Sequence, residues 1–136
     1  MFLLDTKVIS ELRKARAGKA DRDVAAWTRG VPAASLFLSA IVFHELEFGT
    51  LLVERRDATQ GAILRAWLDD HVLPAFSGRI LPIDTAAALH VPDPRPFRDG
   101  LIAATALVIG MTVVTRNVAD FAPTGALVLN PWLEPG

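Results

Sequence analysis

The chain predicts an α/β fold, a mostly parallel sheet of about five strands flanked by helices. Three observations carry this. Short apolar runs at 2–4, 36–38, 79–83, 112–115 and 127–129 have the length of buried strands. Segments of helical period separate them, the pattern of β and α units alternating along a parallel sheet. One segment, from Phe97 or Arg98 to Ile109, is apolar on every side, as a helix packed deep in a core is.

Phe2-Leu3-Leu4 fits a central strand. Thr6 is placed to cap the helix that follows, with Val8, Ile9 and Leu12 on its inner face. Arg13 to Arg29 holds six basic and two acidic residues; Gly18 breaks it, and Asp21 caps a second helix carrying Val24 and Trp27. Leu36-Phe37-Leu38 is the second strand. A long helix starts near Ser39, and residues 38, 41, 42, 45, 48, 49 and 52 share one face, read as the inner one. Another runs from about Asp57 to Leu73, with Ile63, Leu64, Trp67, Leu68 and Val72 inward and Pro74 as its stop. These two helices make a projecting hairpin longer than a crossover needs, suited to a dimer or partner surface or to covering the sheet.

Arg79 to Ile83 is a short third strand. Asp84 caps a short Ala-rich helix that ends before Pro92, and Pro92, Pro94 and Pro96 impose an extended stretch. Gly110 ends the buried helix. Thr112 to Thr115 and Leu127 to Leu129 complete the strands, and Pro131 and Pro135 flank a short tail.

The length, 136 residues, is that of one domain over 1–136. Hydrophobic residues make up 51% and charged ones 21%, enough apolar material for a core and too much for disorder. Fourteen Lys and Arg against fifteen Asp and Glu give a formal charge of -1. That excludes nucleic-acid binding by bulk positive charge, while leaving room for a local basic patch. The absence of cysteine excludes disulfides, thiolate metal sites and a Cys nucleophile, and fits a reducing compartment. Met1 to Asp5 lacks a basic leader pattern. The longest uncharged run, Gly100 to Thr115, spans 16 residues and is short for a membrane crossing. A soluble, cytoplasmic protein without a membrane partner is the expectation.

Open parallel sheets place their sites at the carboxyl ends of strands. Four carboxylates fall near such ends: Asp5 after the first strand, Glu45 two turns into the helix after the second, Asp99 in the first turn of the buried helix, and Asp120 after the fourth strand. Each has an ordinary role as well. Asp5 suits a helix start, Asp99 the positive end of a helix dipole, and Asp120 a turn. Glu45 is harder to set aside, because it shares a stripe with Ile41, Val42, Phe48 and Leu52, where an unpaired carboxylate is costly. Neighbouring Glu47 reads as solvated.

Together the four suggest an acidic pocket. Converging carboxylates repel one another unless a cation is present. Without cysteine, and with scattered histidines, a hard cation with oxygen ligands fits, Mg²⁺ or Mn²⁺. Such an ion among carboxylates suits phosphodiester hydrolysis. Thr6, Ser39, Thr115 and Asn117 stand at the same strand ends, able to orient carboxylates or water, or to act as caps and turns; for Ser39 the two roles weigh equally. Arg98 and Arg116 lie beside the acids.

Other chemistries lack their signatures. Gly18-Lys19 is followed by Ala20, so there is no P-loop; no G-x-G-x-x-G follows the first strand; no G-x-S-x-G elbow occurs. His44, His71 and His90 lack metal-ligand spacing and read as helix-face residues. A phospho-accepting signalling domain would want a late Lys at a strand end, and the lysines are Lys7, Lys14 and Lys19.

Against this background the chain resembles a known family. Leu3-Leu4-Asp5-Thr6-x-Val8-Ile9-Ser10-Glu11-Leu12 is similar to the opening of PIN-domain ribonucleases of the VapC toxin family. Leu38-Ser39-Ala40 with Glu45-Leu46-x-x-Gly49, and then Asp99-Gly100-Leu101-Ile102-Ala103-Ala104-Thr105-Ala106, resemble its second and third motifs. Val114-Thr115-Arg116-Asn117 with Asp120-Phe121, then Leu129-Asn130-Pro131-Trp132, resemble its ending, and the similarity as a whole is close to the subgroup that includes the FitB-like toxins. The resemblance implies a PIN-like three-layer fold and a Mg²⁺- or Mn²⁺-dependent endoribonuclease, the toxin of a toxin–antitoxin pair. It implies metal-binding and catalytic roles for Asp5, Glu45, Asp99 and Asp120, with help from Thr115 or Asn117. It implies as partners an RNA substrate, a small DNA-binding antitoxin of the VapB kind, and a second copy of the chain.

There are two departures. Lys7 stands where the family often has Asn; it could add a positive charge near substrate or pair with an acid, while an exposed Lys7 would be neutral in effect. The stretch from Asp84 to Asp99 is shorter than usual, with Val91-Pro92-Asp93-Pro94-Arg95-Pro96 in place of a longer helix and loop, which predicts a reshaped pocket wall or RNA entrance. That departure motivates the competing expectation, a catalytically silent PIN-like module that binds an antitoxin or RNA.

Overall fold

A computed structural model describes residues 1–84 and 97–133. Strands β1 (Phe2–Leu4), β2 (Leu36–Ser39), β3 (Ile80–Leu81), β4 (Thr112–Val114) and β5 (Val128–Leu129) form one sheet in the order β3-β2-β1-β4-β5. Every pairing is parallel, so the predicted α/β class is what the chain adopts. Around the sheet lie α1 (Thr6–Ala15), α2 (Arg22–Arg29), α3 (Ala40–Arg56), α4 (Ala58–Trp67), α5 (Leu73–Ala75), α6 (Phe97–Ile109) and α7 (Val118–Phe121).

β1 is central because it is apolar on both faces. Leu3 and Leu4 are fully buried, as are Leu38, Val113 and Val114 on the strands beside it and Val8, Val42, Ile102 and Phe121 on the helices. Each such side chain contributes about 1.5–3 kcal/mol relative to exposure. Predicted caps at Asp21 and Ser39 hold: Asp21 accepts from Asp23 and Val24 N–H, and Ser39 from Ile41 N–H. Asp57 caps α4 by accepting from Gln60 N–H. The cap of α1 is Asp5, one residue before the expected Thr6; the carboxylate accepts from Thr6 N–H at 2.8 Å, and Thr6 opens the helix.

Several further expectations needed correction. On α3 the buried residues are Val42, Leu46 and Thr50, while Phe48 and Leu52 are 56% and 47% exposed. Val42 is buried as expected, but from there the inner face continues through Leu46 and Thr50 and not through Glu45, Phe48 and Leu52. Along the segment expected as one helix from Asp57 to Leu73, Leu68 and Val72 are buried as expected, but Ile63 is exposed. Pro74 does not stop that helix; the chain passes through a π turn at Leu68–Val72 and one more turn to Ala75. A proline lacks the N–H for an i–4 bond, and a widened turn just before it accommodates both that loss and the ring.

β3 is shorter than the predicted 79–83, since Pro82 has no N–H for the ladder. α6 is buried from Ile102 to Ala106, but Val108 and Ile109 at its end are exposed. Gly110, with φ +79°, turns the chain out of α6 into β4. The expected helix after Asp84 and the proline stretch through Pro96 lie outside the described residues, as does His90.

α3 and α4 form the predicted hairpin and cross closely at Gly61. Arg65 of α4 pairs with Glu47 at 2.7 Å and Glu54 at 3.0 Å on α3, so Glu47 is an ion-pair partner and not simply solvated. The hydrogen bonds to Glu47 and Glu54 push the Arg65 guanidinium above its ordinary pKa.

Candidate functional site

β2 and β3 extend the sheet to one side of β1, and β4 and β5 to the other. Chains leaving the carboxyl ends of β1 and β4 therefore diverge, and that crevice is where such sheets carry their sites. Asp5 follows β1 directly and is 1% exposed. Its N–H donates to Val114 O at 2.9 Å, which continues the ladder to β4 and fixes the residue's backbone. Thr115, fully buried at the end of β4, donates its hydroxyl to Asp5 Oδ2 at 2.7 Å. Asp5 thus caps α1 with Oδ1 and presents a braced carboxylate to the crevice.

Two further acids reach the same place. Glu45 comes from the second turn of α3, where Thr6 Oγ1 donates to its Oε1 at 2.7 Å. Asp99 comes from the first turn of α6. Arg98, the residue beside it, joins all three. Its Nε donates to both oxygens of Glu45 at 2.8 and 2.7 Å, its Nη1 to Asp99 Oδ1 at 2.7 Å, and its Nη2 to Asp5 Oδ1. Nη2 also lies 3.2 Å from Thr6 Oγ1. Burial works against the Arg98 charge, but hydrogen bonds to Glu45 and Asp5 and the charge of Asp5 outweigh it and hold its pKa above the ordinary value.

Glu45 reaches the site for a reason other than the one its sequence position suggested. Its stripe is not the core face; its side chain is 34% exposed at the pocket rim, beside exposed Phe48. Asn117 contributes its backbone, an N–H donated to Thr115 Oγ1 at 3.0 Å, while its side chain makes no cap bond. Ser39 is fully buried and serves as a cap. Asp120 is exposed in the short α7, its N–H bonded to Asn117 O, and it is not among the partners of Arg98. His44 and His71 are exposed helix-face residues, and Lys7 is exposed.

Arg98 as the hub was not legible in the sequence beyond its adjacency to Asp99. The donor chemistry suits a hard cation, since three carboxylates from separate elements converge on one positive group. Among the described residues, no three His, Asp or Glu side chains form a ready cage. The guanidinium lies between these three acids. A cleft of about 270 Å³ opens from Thr6 and Glu45 along α3 to Arg13, whose guanidinium sits 5.8 Å from the Trp67 ring. On the other flank Arg116 sits 5.0 Å from the ring of Trp132. Basic groups therefore border an acidic centre. Among the described residues no helix is long and apolar enough to cross a membrane.

Known proteins share this arrangement of elements. The PIN-domain profile matches residues 2–124. The VapC ribonuclease Y4jK of Sinorhizobium fredii is 39% identical, with 99% of each chain aligned. Toxin FitB of Neisseria gonorrhoeae is 34% identical over 97% of this chain and 99% of its own. The solved structure of FitAB bound to an IR36 DNA fragment superposes with a TM-score of 0.88 at 33% identity, covering 100% of this chain and 99% of the other. By that family match and by these identities over nearly the whole chain, the chain belongs to the PIN-domain family, among relatives that include VapC and FitB toxins.

Proposed function

We propose that the chain is a metal-dependent endoribonuclease, the toxin of a toxin–antitoxin pair, working in the cytoplasm. The observation that carries this is the convergence of Asp5, Glu45 and Asp99 on one cationic group at the strand-order reversal. Asp5 and Asp99 are the direct ligands of Mg²⁺ or Mn²⁺ in this reading, and Glu45 is a ligand or the base that orients water. The ion supplies activation of that water and neutralisation of the phosphodiester's charge.

The chain's own residues do the rest. Thr115 locks the Asp5 carboxylate through Oδ2, leaving Oδ1 turned to the crevice. Thr6 fixes the Glu45 carboxylate. Arg13 and Arg116, on either flank, attract the polyanion that the acidic centre would repel. Asp120 is a peripheral acid in this scheme. Relatives named VapC ribonuclease and Toxin FitB support the nuclease and toxin reading. A partner antitoxin and a second copy are supported by the exposed apolar side chains of the α3–α4 hairpin, Phe48, Leu51, Leu52 and Ile63.

The test is cleavage mapping on total RNA with and without Mn²⁺, using wild type, Asp5→Asn and Asp99→Asn. Wild type cleaves only with metal, and both variants are folded and inactive. Equal cleavage by all three sinks the assignment. A small neighbouring reading frame for a DNA-binding protein is the expected genetic companion. One observation favours a second reading, a catalytically silent module: a guanidinium already satisfies the acids. Folded wild type that cuts no RNA with Mn²⁺, yet binds its partner tightly, would establish it.

A further inference from the structure

Arg98 takes four of the six carboxylate oxygens of Asp5, Glu45 and Asp99 as acceptors. A divalent ion bound by these acids must use some of the same lone pairs. The two cations are not equivalent. A guanidinium spreads one charge over a plane and holds carboxylates around its edge, whereas Mg²⁺ draws oxygens to a point at near-octahedral geometry. The acids hold Arg98 through Nε, Nη1 and Nη2, yet the side chain is not sealed in and keeps 30% exposure. The residue has somewhere to go.

From this geometry we propose that Arg98 is a built-in latch on the metal site. Its guanidinium holds the three acids together in the metal-free protein, and it must swing toward solvent before Mg²⁺ or Mn²⁺ binds. The inference rests on the metal-nuclease reading of the same pocket. Against three carboxylates one guanidinium stabilises the fold, because buried acids without a partner are strongly destabilising. The cost falls on the metal, whose apparent affinity is its intrinsic affinity multiplied by the fraction of molecules with Arg98 out. A nearby positive charge would also weaken metal binding without any latch, so the test must separate charge from reach.

Full-length wild type, Arg98→Met and Arg98→Lys are titrated with Mn²⁺ by calorimetry, and ¹⁵N-labelled wild type is titrated with Mg²⁺ while the Arg98 Nε–H resonance is followed. The latch predicts that this resonance moves to the position of a solvent-exposed arginine as Mg²⁺ saturates. It predicts that Arg98→Met binds Mn²⁺ about tenfold tighter or more. Arg98→Lys should fall nearer to Met than to wild type, since an ammonium keeps the charge but not the three-way reach. Thermal melts by circular dichroism establish that each variant folds; should Arg98→Met not fold, the wild-type resonance and the Lys variant decide. Saturation by Mg²⁺ with the Arg98 signal unmoved, or affinities equal in wild type and Arg98→Met, overturns the latch alone. Absence of binding in wild type and variants overturns the latch together with the metal reading.

Discussion

The Thr115 hydroxyl donates to Asp5 Oδ2 at 2.7 Å, and both side chains are buried. This one bond ties the carboxyl ends of the two strands between which the sheet order reverses. It also decides which Asp5 oxygen faces the crevice. Thr115→Val keeps the shape and removes the donor, so Asp5 Oδ2 is left buried and unsatisfied. The expected cost is about 1–3 kcal/mol of stability, read by chemical denaturation. Metal affinity should fall about 10–100-fold, as for partners that orient a ligand. Thr115→Ser restores the hydroxyl and should recover most of both. Unchanged metal affinity in Thr115→Val would mean that Asp5 is oriented by the backbone alone.

The acids should separate by position in the cluster. Asp5 and Asp99 are the least exposed of the three that Arg98 joins, at 2% and 15% for their side chains, and Glu45 is at 34%. Asp5→Asn and Asp99→Asn should therefore abolish RNA cleavage, and Glu45→Gln should leave a residue of activity. Asp120→Asn, outside the cluster, should cost less than about tenfold. Single-turnover cleavage rates at saturating Mn²⁺ check the ranking. A loss in Asp120→Asn as deep as in Asp99→Asn would show that the turn after β4 closes on the site.

Much of this was legible in the sequence, and the failures have physical causes. β1 and the caps at Asp21 and Ser39 follow from local rules, an apolar triplet and a short polar side chain before a helix. The inner face of α3 did not. The face read as inner runs through Ile41, Val42, Glu45, Phe48, Gly49 and Leu52, whereas the buried residues are Val42, Leu46 and Thr50. Thr50 is polar and does not read as a core residue, yet it packs inward because its hydroxyl is satisfied by donating to Leu46 O at 2.8 Å. Glu45 therefore lies beside the buried face and not on it, 34% exposed. Arg98 shows the opposite limit: its partners lie 93 and 53 positions away, and only the closed sheet brings them within reach.

Glu11 predicts a pH dependence outside the site. Its carboxylate accepts Asp21 N–H at 2.9 Å and pairs with Lys14 at 3.0 Å, tying α1 to the cap of α2. The bond from Asp21 N–H, then that from Lys14, hold its pKa below the ordinary 4.5. A depressed carboxyl contributes stability that is fully present above the unfolded pKa and is lost as pH falls through the folded one. The advantage of wild type over Glu11→Gln should therefore be steady near neutrality and shrink from about pH 5 downward. Melting temperatures of the pair across that range test it. High salt should trim the Lys14 share and spare the backbone bond. A difference between the two proteins that does not change with pH would refute the assignment.

The last prediction concerns how tightly the hairpin is closed. A Cβ at Gly61 would lie 2.5 Å from Glu54 Cα and 2.8 Å from Glu54 N, so the obstacle is backbone and cannot rotate away. Gly61→Ala gains about 1 kcal/mol of helix propensity. It must nevertheless push α4 off α3, at an overpacking cost of about 1–3 kcal/mol, and it disturbs the Arg65 pairing with Glu54. Gly49, also helical, would meet nothing within 4 Å of an added Cβ. Gly49→Ala therefore shares the propensity gain without the clash. Thermal unfolding should show Gly61→Ala melting below wild type and Gly49→Ala above it. The same order for both, in either direction, would mean that propensity and not the helix crossing governs the pair, and that α3 and α4 have room to part.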